Sequence, residues 1–142
     1  MSEKVLLVDD EGEFLEALSQ RMTSRGMEVT TTTSAREAIK KVEEGSFDAV
    51  ILDLMMPEMD GLEVLQTLKK KKPDIQVILL TGHASVAKGI EAMKLGAMDF
   101  LEKPADIKEL TEKIKKAQAK KMILVEKHNE EKIQKILVDR GW

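Results

Sequence analysis

Residues 48–61 read DAVILDLMMPEMDG, and the order of residue types within them sets the fold class. The run from Ala49 to Asp53 is short and almost wholly aliphatic, long enough for a strand and too short for a buried helix. It stops on a carboxylate. Pro57 then marks a loop, and Asp60-Gly-Leu-Glu63 matches a capping box that starts a helix. A strand without polar alternation is covered on both faces, as in parallel sheets flanked by helices.

The same strand-then-helix unit recurs on either side. Four more strands are expected at Lys4 to Val8, Met27 to Thr32, Ile75 to Leu80 and Ala97 to Leu101. IQVILL (residues 75–80) is as aliphatic as AVILD, which places both near the sheet centre, whereas the threonine-rich MEVTTT (residues 27–32) suits an edge. Ser34 to Glu37 forms a second capping box, and Gly26, Gly45, Pro73 and Gly96 fall where helices should end. Phe14, Leu15, Leu18 and Met22 recur at helical spacing, so that face should lie on the sheet. The fold class is α/β, with a doubly wound, five-stranded parallel sheet.

Composition bounds the function. The 142 residues are 42% apolar and 35% charged, enough for one core and too apolar for a disordered chain. There is no cysteine, which excludes disulfides, thiolate zinc sites and cysteine nucleophiles. No apolar run approaches the ~18–20 residues of a membrane helix, and no secretory pattern opens the chain, so a cytoplasmic protein without membrane contact is expected. Residues 105–142 carry ten Lys/Arg against seven Asp/Glu, a net +3, leaving −6 for residues 1–104. So weak a basic excess, with few aromatics, argues against direct nucleic-acid binding.

In an open parallel sheet, ligands bind beyond the carboxyl ends of the strands. Strand one ends in Asp9-Asp10, strand three in Asp53 and strand four in Thr81, and strand five leads to Lys103-Pro104. Carboxylates meeting there repel by about 4 kcal/mol per close pair at ~4 Å and an effective dielectric near 20. A hard divalent cation with oxygen ligands, Mg2+ above all, would offset them, and Lys103 adds a fixed positive charge.

With these residues in place, VLLVDDE, DAVILDLMMPEMDG, VILLTGHA and GAMDFLEKP resemble the motifs of response-regulator receiver domains, over about residues 4–118. The resemblance implies a flavodoxin-like sheet of order 2-1-3-4-5. It implies a phosphorylation-dependent switch in which Asp53 accepts a phosphoryl group from a sensor histidine kinase or a phosphotransfer protein. It further implies Mg2+ held by Asp10, Asp53 and the Met55 backbone carbonyl, with Asp9 acting through water. Lys103 would balance phosphoryl charge, Thr81 would bond the phosphoryl group, and Gly82 would leave room beside it. Phe100 would be the aromatic switch, with output through the fourth helix, fifth strand and fifth helix. Lys103-Pro104 would be the family's cis peptide.

Some positions depart from the family pattern. Phe100 has no hydroxyl, so only the placement of its ring can report, and Ala105 stands where an aromatic is common. His83 is expected to line the site entrance rather than carry protons, and a lone His128 is a poor metal ligand. Met55 and Met56 flank the acceptor and suit either loop packing or a partner. An aspartyl-phosphate phosphatase is the enzymatic alternative, but such enzymes usually place a second acid where Met55 stands. A scaffold that works without phosphorylation is a third reading.

The expected division is a receiver domain over residues 1–120 and a C-terminal helical extension over 121–142. From residue 106 to about 139 neither glycine nor proline interrupts, so one helix of roughly 50 Å is possible. Ile107, Leu110, Ile114 and Ala117 should pack on the sheet. Met122, Val125, Asn129, Ile133 and Ile136 make a second stripe near 3.5-residue spacing, suited to a homodimer or a docked partner. Docking on its own domain, or a strand at MILV (residues 122–125), is the alternative. The residues after Pro104 are too few for a complete DNA-binding or enzymatic domain, so output would be by contact.

Overall fold

The computed structural model of the chain describes residues 2–82 and 86–141. Strands and helices alternate: β1 (Lys4–Val8), α1 (Gly12–Ser24), β2 (Glu28–Thr32), α2 (Ala35–Glu44), β3 (Ala49–Leu52), α3 (Gly61–Lys71), β4 (Val77–Thr81), α4 (Val86–Lys94), β5 (Asp99–Glu102) and α5 (Ile107–Asp139). All strand pairs are parallel, in the order β2-β1-β3-β4-β5.

Alternation along each strand divides the core into two layers. Leu6, Val8, Val50, Leu52, Val77 and Leu79 face α2, α3 and α4. Val5, Leu7, Ile51, Ile78 and Leu80 face α1 and α5, where they meet Leu15, Leu18, Met22, Leu110 and Ile114. β3 is buried throughout, and β2 is the partly exposed edge that its threonines suggest.

The strands end slightly off the expected positions. β3 stops at Leu52, which frees Asp53, and β4 runs one residue further to include Thr81. Ser34 and Asp60 do cap α2 and α3, accepting from Glu37 N–H and Leu62 N–H. Their boxes are not reciprocal as expected at α2, where the Glu37 side chain instead pairs with Lys41 at 3.4 Å.

α5 is one unbroken helix across the boundary expected at residue 120, and MILV is helical within it. Lys121 Nζ donates to Ser46 Oγ and the Phe47 carbonyl, and His128 Nδ1 lies 3.0 Å from Asp74 Oδ2. The helix therefore passes the rim where the strands begin, and residues 129–136 beyond it are exposed. No helix among the described residues is long and apolar enough to cross a membrane.

Candidate functional site

Parallel strands deliver their last residues to one rim, and here that rim is acidic. Asp9, Asp10 and Asp53 each offer a carboxylate oxygen, all within 4.8 Å of one another; Asp9 and Asp53 are buried and Asp10 is exposed. Local turns aim them. Asp9 Oδ1 accepts from Glu11 N–H at 2.9 Å, and Asp53 Oδ1 accepts from Met55 N–H at 3.0 Å. The second oxygen of each is thereby turned toward Lys103.

Lys103 Nζ lies 2.7 Å from Asp9 Oδ2, 3.5 Å from Asp53 Oδ2 and 3.6 Å from Glu11 Oε1. It also stands 4.5 Å from the centre of the Phe14 ring, a cation–π contact that helps hold the stem in place. Burial on its own would lower the Lys103 pKa, but Asp9, Asp53 and Glu11 outweigh it and raise the value. Lys103 is firmly cationic.

Asp9 is less comfortable. Burial pushes its pKa up, the neighbouring Asp53 charge adds to this, and Lys103 with the Glu11 N–H only partly offsets them. Its Oδ2 is buried and, despite the close ion pair, receives no well-directed hydrogen bond. A buried carboxylate oxygen in that condition, within reach of two further carboxylates, fits a hard divalent cation.

Around this centre, the loop after β3 is anchored twice. Glu58 accepts from Ser34 Oγ at 3.1 Å and from Arg36 N–H at 2.9 Å, which ties the loop to the start of α2. A Cβ on Gly61 would sit 2.5 Å from Leu54 Cα, so only glycine lets α3 begin this close to the loop. Met55 projects outward, and a cleft of about 510 Å³ lined by Asp10, Met55, Pro57 and Lys88 opens beside the acids.

Thr81 ends β4 fully buried, its hydroxyl only 3.5 Å from the Gly82 carbonyl. Phe100 lies half-buried on β5 against α4, where a Cβ at Gly89 would stand 3.5 Å from the ring. The Lys103–Pro104 bond is cis. His83 falls outside the described residues, and His128 lies at the opposite rim with Asp74.

Sequence reasoning missed Glu11 and Phe14 as neighbours of Lys103. Glu11 adjoins the acid pair and was open to notice; Phe14 reads as an ordinary core residue at helical spacing. The Glu58 to Ser34 tie spans too many residues to leave a local signal.

These features define a class of doubly wound α/β domain, one whose strand-end rim carries a carboxylate cluster, a half-buried lysine and a threonine. Residues 5–115 match the family described as response regulator receiver domain, and the chain belongs to that family. It is 37% identical over 109 residues to the photosynthetic apparatus regulatory protein RegA of Rhodobacter capsulatus, covering 75% of this chain and 58% of that protein. It is 37% identical over 115 residues to the transcriptional regulatory protein ZraR of Escherichia coli K12, covering 81% of this chain and 26% of that protein. The chain thus spans between a quarter and about three-fifths of these relatives' length. A response regulator receiver domain protein from Clostridium thermocellum superposes with a TM-score of 0.82 at 36% identity, over 86% of this chain and 98% of that one.

Proposed function

We propose that this receiver domain is a switch thrown by phosphorylation of Asp53. The observation that carries the reading is the convergence of Asp9, Asp10 and Asp53 within 4.8 Å of one another around a single lysine. A receiver domain implies a histidine kinase or other phosphodonor as its input partner, and a phosphotransfer protein would serve the same chemistry.

Asp53 Oδ2 attacks the donor's phosphorus in line; the new O–P bond forms as the donor's bond to phosphorus breaks, and the donor leaves with that electron pair. No general base is required, since the nucleophile is an ionised carboxylate. Met55 N–H holds Oδ1, which fixes the attacking oxygen's direction. Asp10, Asp53 and the Met55 carbonyl would hold Mg2+, with Asp9 through water. When bound, that ion supplies charge neutralisation for the transferring phosphoryl oxygens. Lys103 stabilises the same developing charge from the other side.

The phosphoryl group adds roughly 1.5–2 negative charges and new acceptor oxygens at the rim. Thr81, at the end of the strand that pairs with β3, donates its hydroxyl to them. Phe100, which lies beside Gly89 of α4, then repacks against that helix, and the surface carrying Ile90 and Met93 changes. That surface, with β5 and α5, is the output.

Incubation with Mg2+ and a small acyl phosphate should add the mass of one phosphoryl group to the intact chain. The adduct should be lost rapidly at high pH, as an acyl phosphate is, absent without Mg2+, and absent in Asp53→Asn. An equal adduct in Asp53→Asn removes the proposal.

A further inference from the structure

A chain of hydrogen bonds joins the two loops that carry the rim's buried acids, through residues far apart in sequence. Asp9 N–H donates to the Thr32 carbonyl at 3.3 Å, where β2 ends. Thr32 Oγ1 accepts from Ser34 N–H at 3.1 Å, and Ser34 Oγ lies 3.1 and 3.2 Å from the two carboxylate oxygens of Glu58. Arg36 N–H, in the first turn of α2, donates to Glu58 Oε1 at 2.9 Å. Glu58 is thus the point at which the acceptor loop joins the chain.

Its carboxylate sits at the N-terminus of α2, where unpaired amide N–H groups and the helix dipole favour negative charge. Arg36 N–H above all, with Ser34 adding to it, holds the Glu58 carboxyl below its ordinary value of 4.5, so the group is ionised at neutral pH. The loop's other side-chain anchors are apolar: Leu54 and Met56 are 2% and 8% exposed. Burial fixes how deep those side chains sit but has no direction. Charge-assisted hydrogen bonds do have one. Between Glu58 and Asp53 lies Met55, whose N–H holds Asp53 Oδ1.

We propose that Glu58 is a positioning residue for the Mg2+ site: by fastening the acceptor loop to α2 it fixes the Met55 carbonyl, and so sets the affinity for the ion from outside the carboxylate cluster. This rests on the reading of the rim as an Mg2+ site.

Mg2+ titrations of the full chain, followed by backbone amide shifts, separate this role from a general effect of charge. Glu58→Ala should weaken Mg2+ binding about tenfold, the lower end of the loss expected when a group supporting a metal ligand is removed. Glu58→Gln lacks the charge but keeps an oxygen for Arg36 N–H and Ser34 Oγ, so it should bind nearly as wild type does. Ser34→Asp keeps a cap acceptor for Glu37 N–H and adds negative charge, yet it loses the hydroxyl donor and repels Glu58. It should weaken binding nearly as much as Glu58→Ala. Without Mg2+, Glu58→Ala should speed hydrogen exchange at Met55 N–H and leave the melting temperature unchanged. Equal losses in Glu58→Gln and Glu58→Ala, a Ser34→Asp that binds as wild type does, or unchanged exchange at Met55 overturns the proposal. A wild type that binds Mg2+ beside a Glu58→Ala that binds it equally overturns this inference alone. A wild type that binds none overturns the Mg2+ reading and this inference with it.

Discussion

The two rims of the sheet treat their carboxylates in opposite ways. Where the strands begin, Asp48 accepts from Lys4 N–H at 2.8 Å and from Gln118 Nε2 at 3.3 Å, and Asp74 faces His128 at 3.0 Å. Each acid has its own donors, two of them on α5. Where the strands end, Asp9, Asp53 and Glu11 share one lysine, and burial lifts the Asp9 pKa. Acids with their own donors fasten a helix. Acids crowded around one amine leave negative charge for a ligand to neutralise.

Removing the shared amine should have the largest effect. Lys103→Met should lower the metal-free unfolding free energy by about 2–3 kcal/mol, because two buried carboxylates lose their counter-charge. The Lys103 pKa is raised, so its contribution is intact below the ordinary value of 10.5 and is lost as pH climbs through the raised value. Urea titrations above that pH should show wild type converging on Lys103→Met.

Asp9→Asn should act the other way, adding on the order of 1–2 kcal/mol to the metal-free chain at neutral pH by removing a desolvated like charge. A raised carboxylate pKa favours the folded state below the ordinary value of 3.8, and that advantage is lost as pH rises through the raised value. The gain from Asp9→Asn should therefore shrink as pH falls, which unfolding at acid and neutral pH can compare. A loss of stability at neutral pH would mean that the two rims do not differ as described.

The smallest effect belongs to the other rim. His128→Ala breaks an exposed pair and should cost less than about 1 kcal/mol, with thermal unfolding as the measure.

The convergence of three aspartates was legible because a parallel sheet sends every strand end to one rim; knowing where strands stop was enough. The aliphatic runs at β3 and β4 and the threonines of β2 likewise gave their burial away. What could not be read were contacts made across the chain by ordinary residues. Phe14 beneath Lys103, Glu58 at the start of α2 and Gly89 beside Phe100 depend on how helices lie over the sheet. Helical periodicity shows that a face is buried, not which side chain it meets. The tail was legible as a helix, since nothing in it breaks one, but its attachment through Lys121 and His128 was not.

The claim that the strand-end rim holds an excess of negative charge for a cation is tested most directly by unfolding in urea at neutral pH, with and without Mg2+. The account predicts that Mg2+ stabilises the wild-type chain in a concentration-dependent way, as any ligand of the folded state must, and does so far less in Asp10→Asn and Asp53→Asn. A wild type indifferent to Mg2+, or variants that respond as fully as it does, would contradict it.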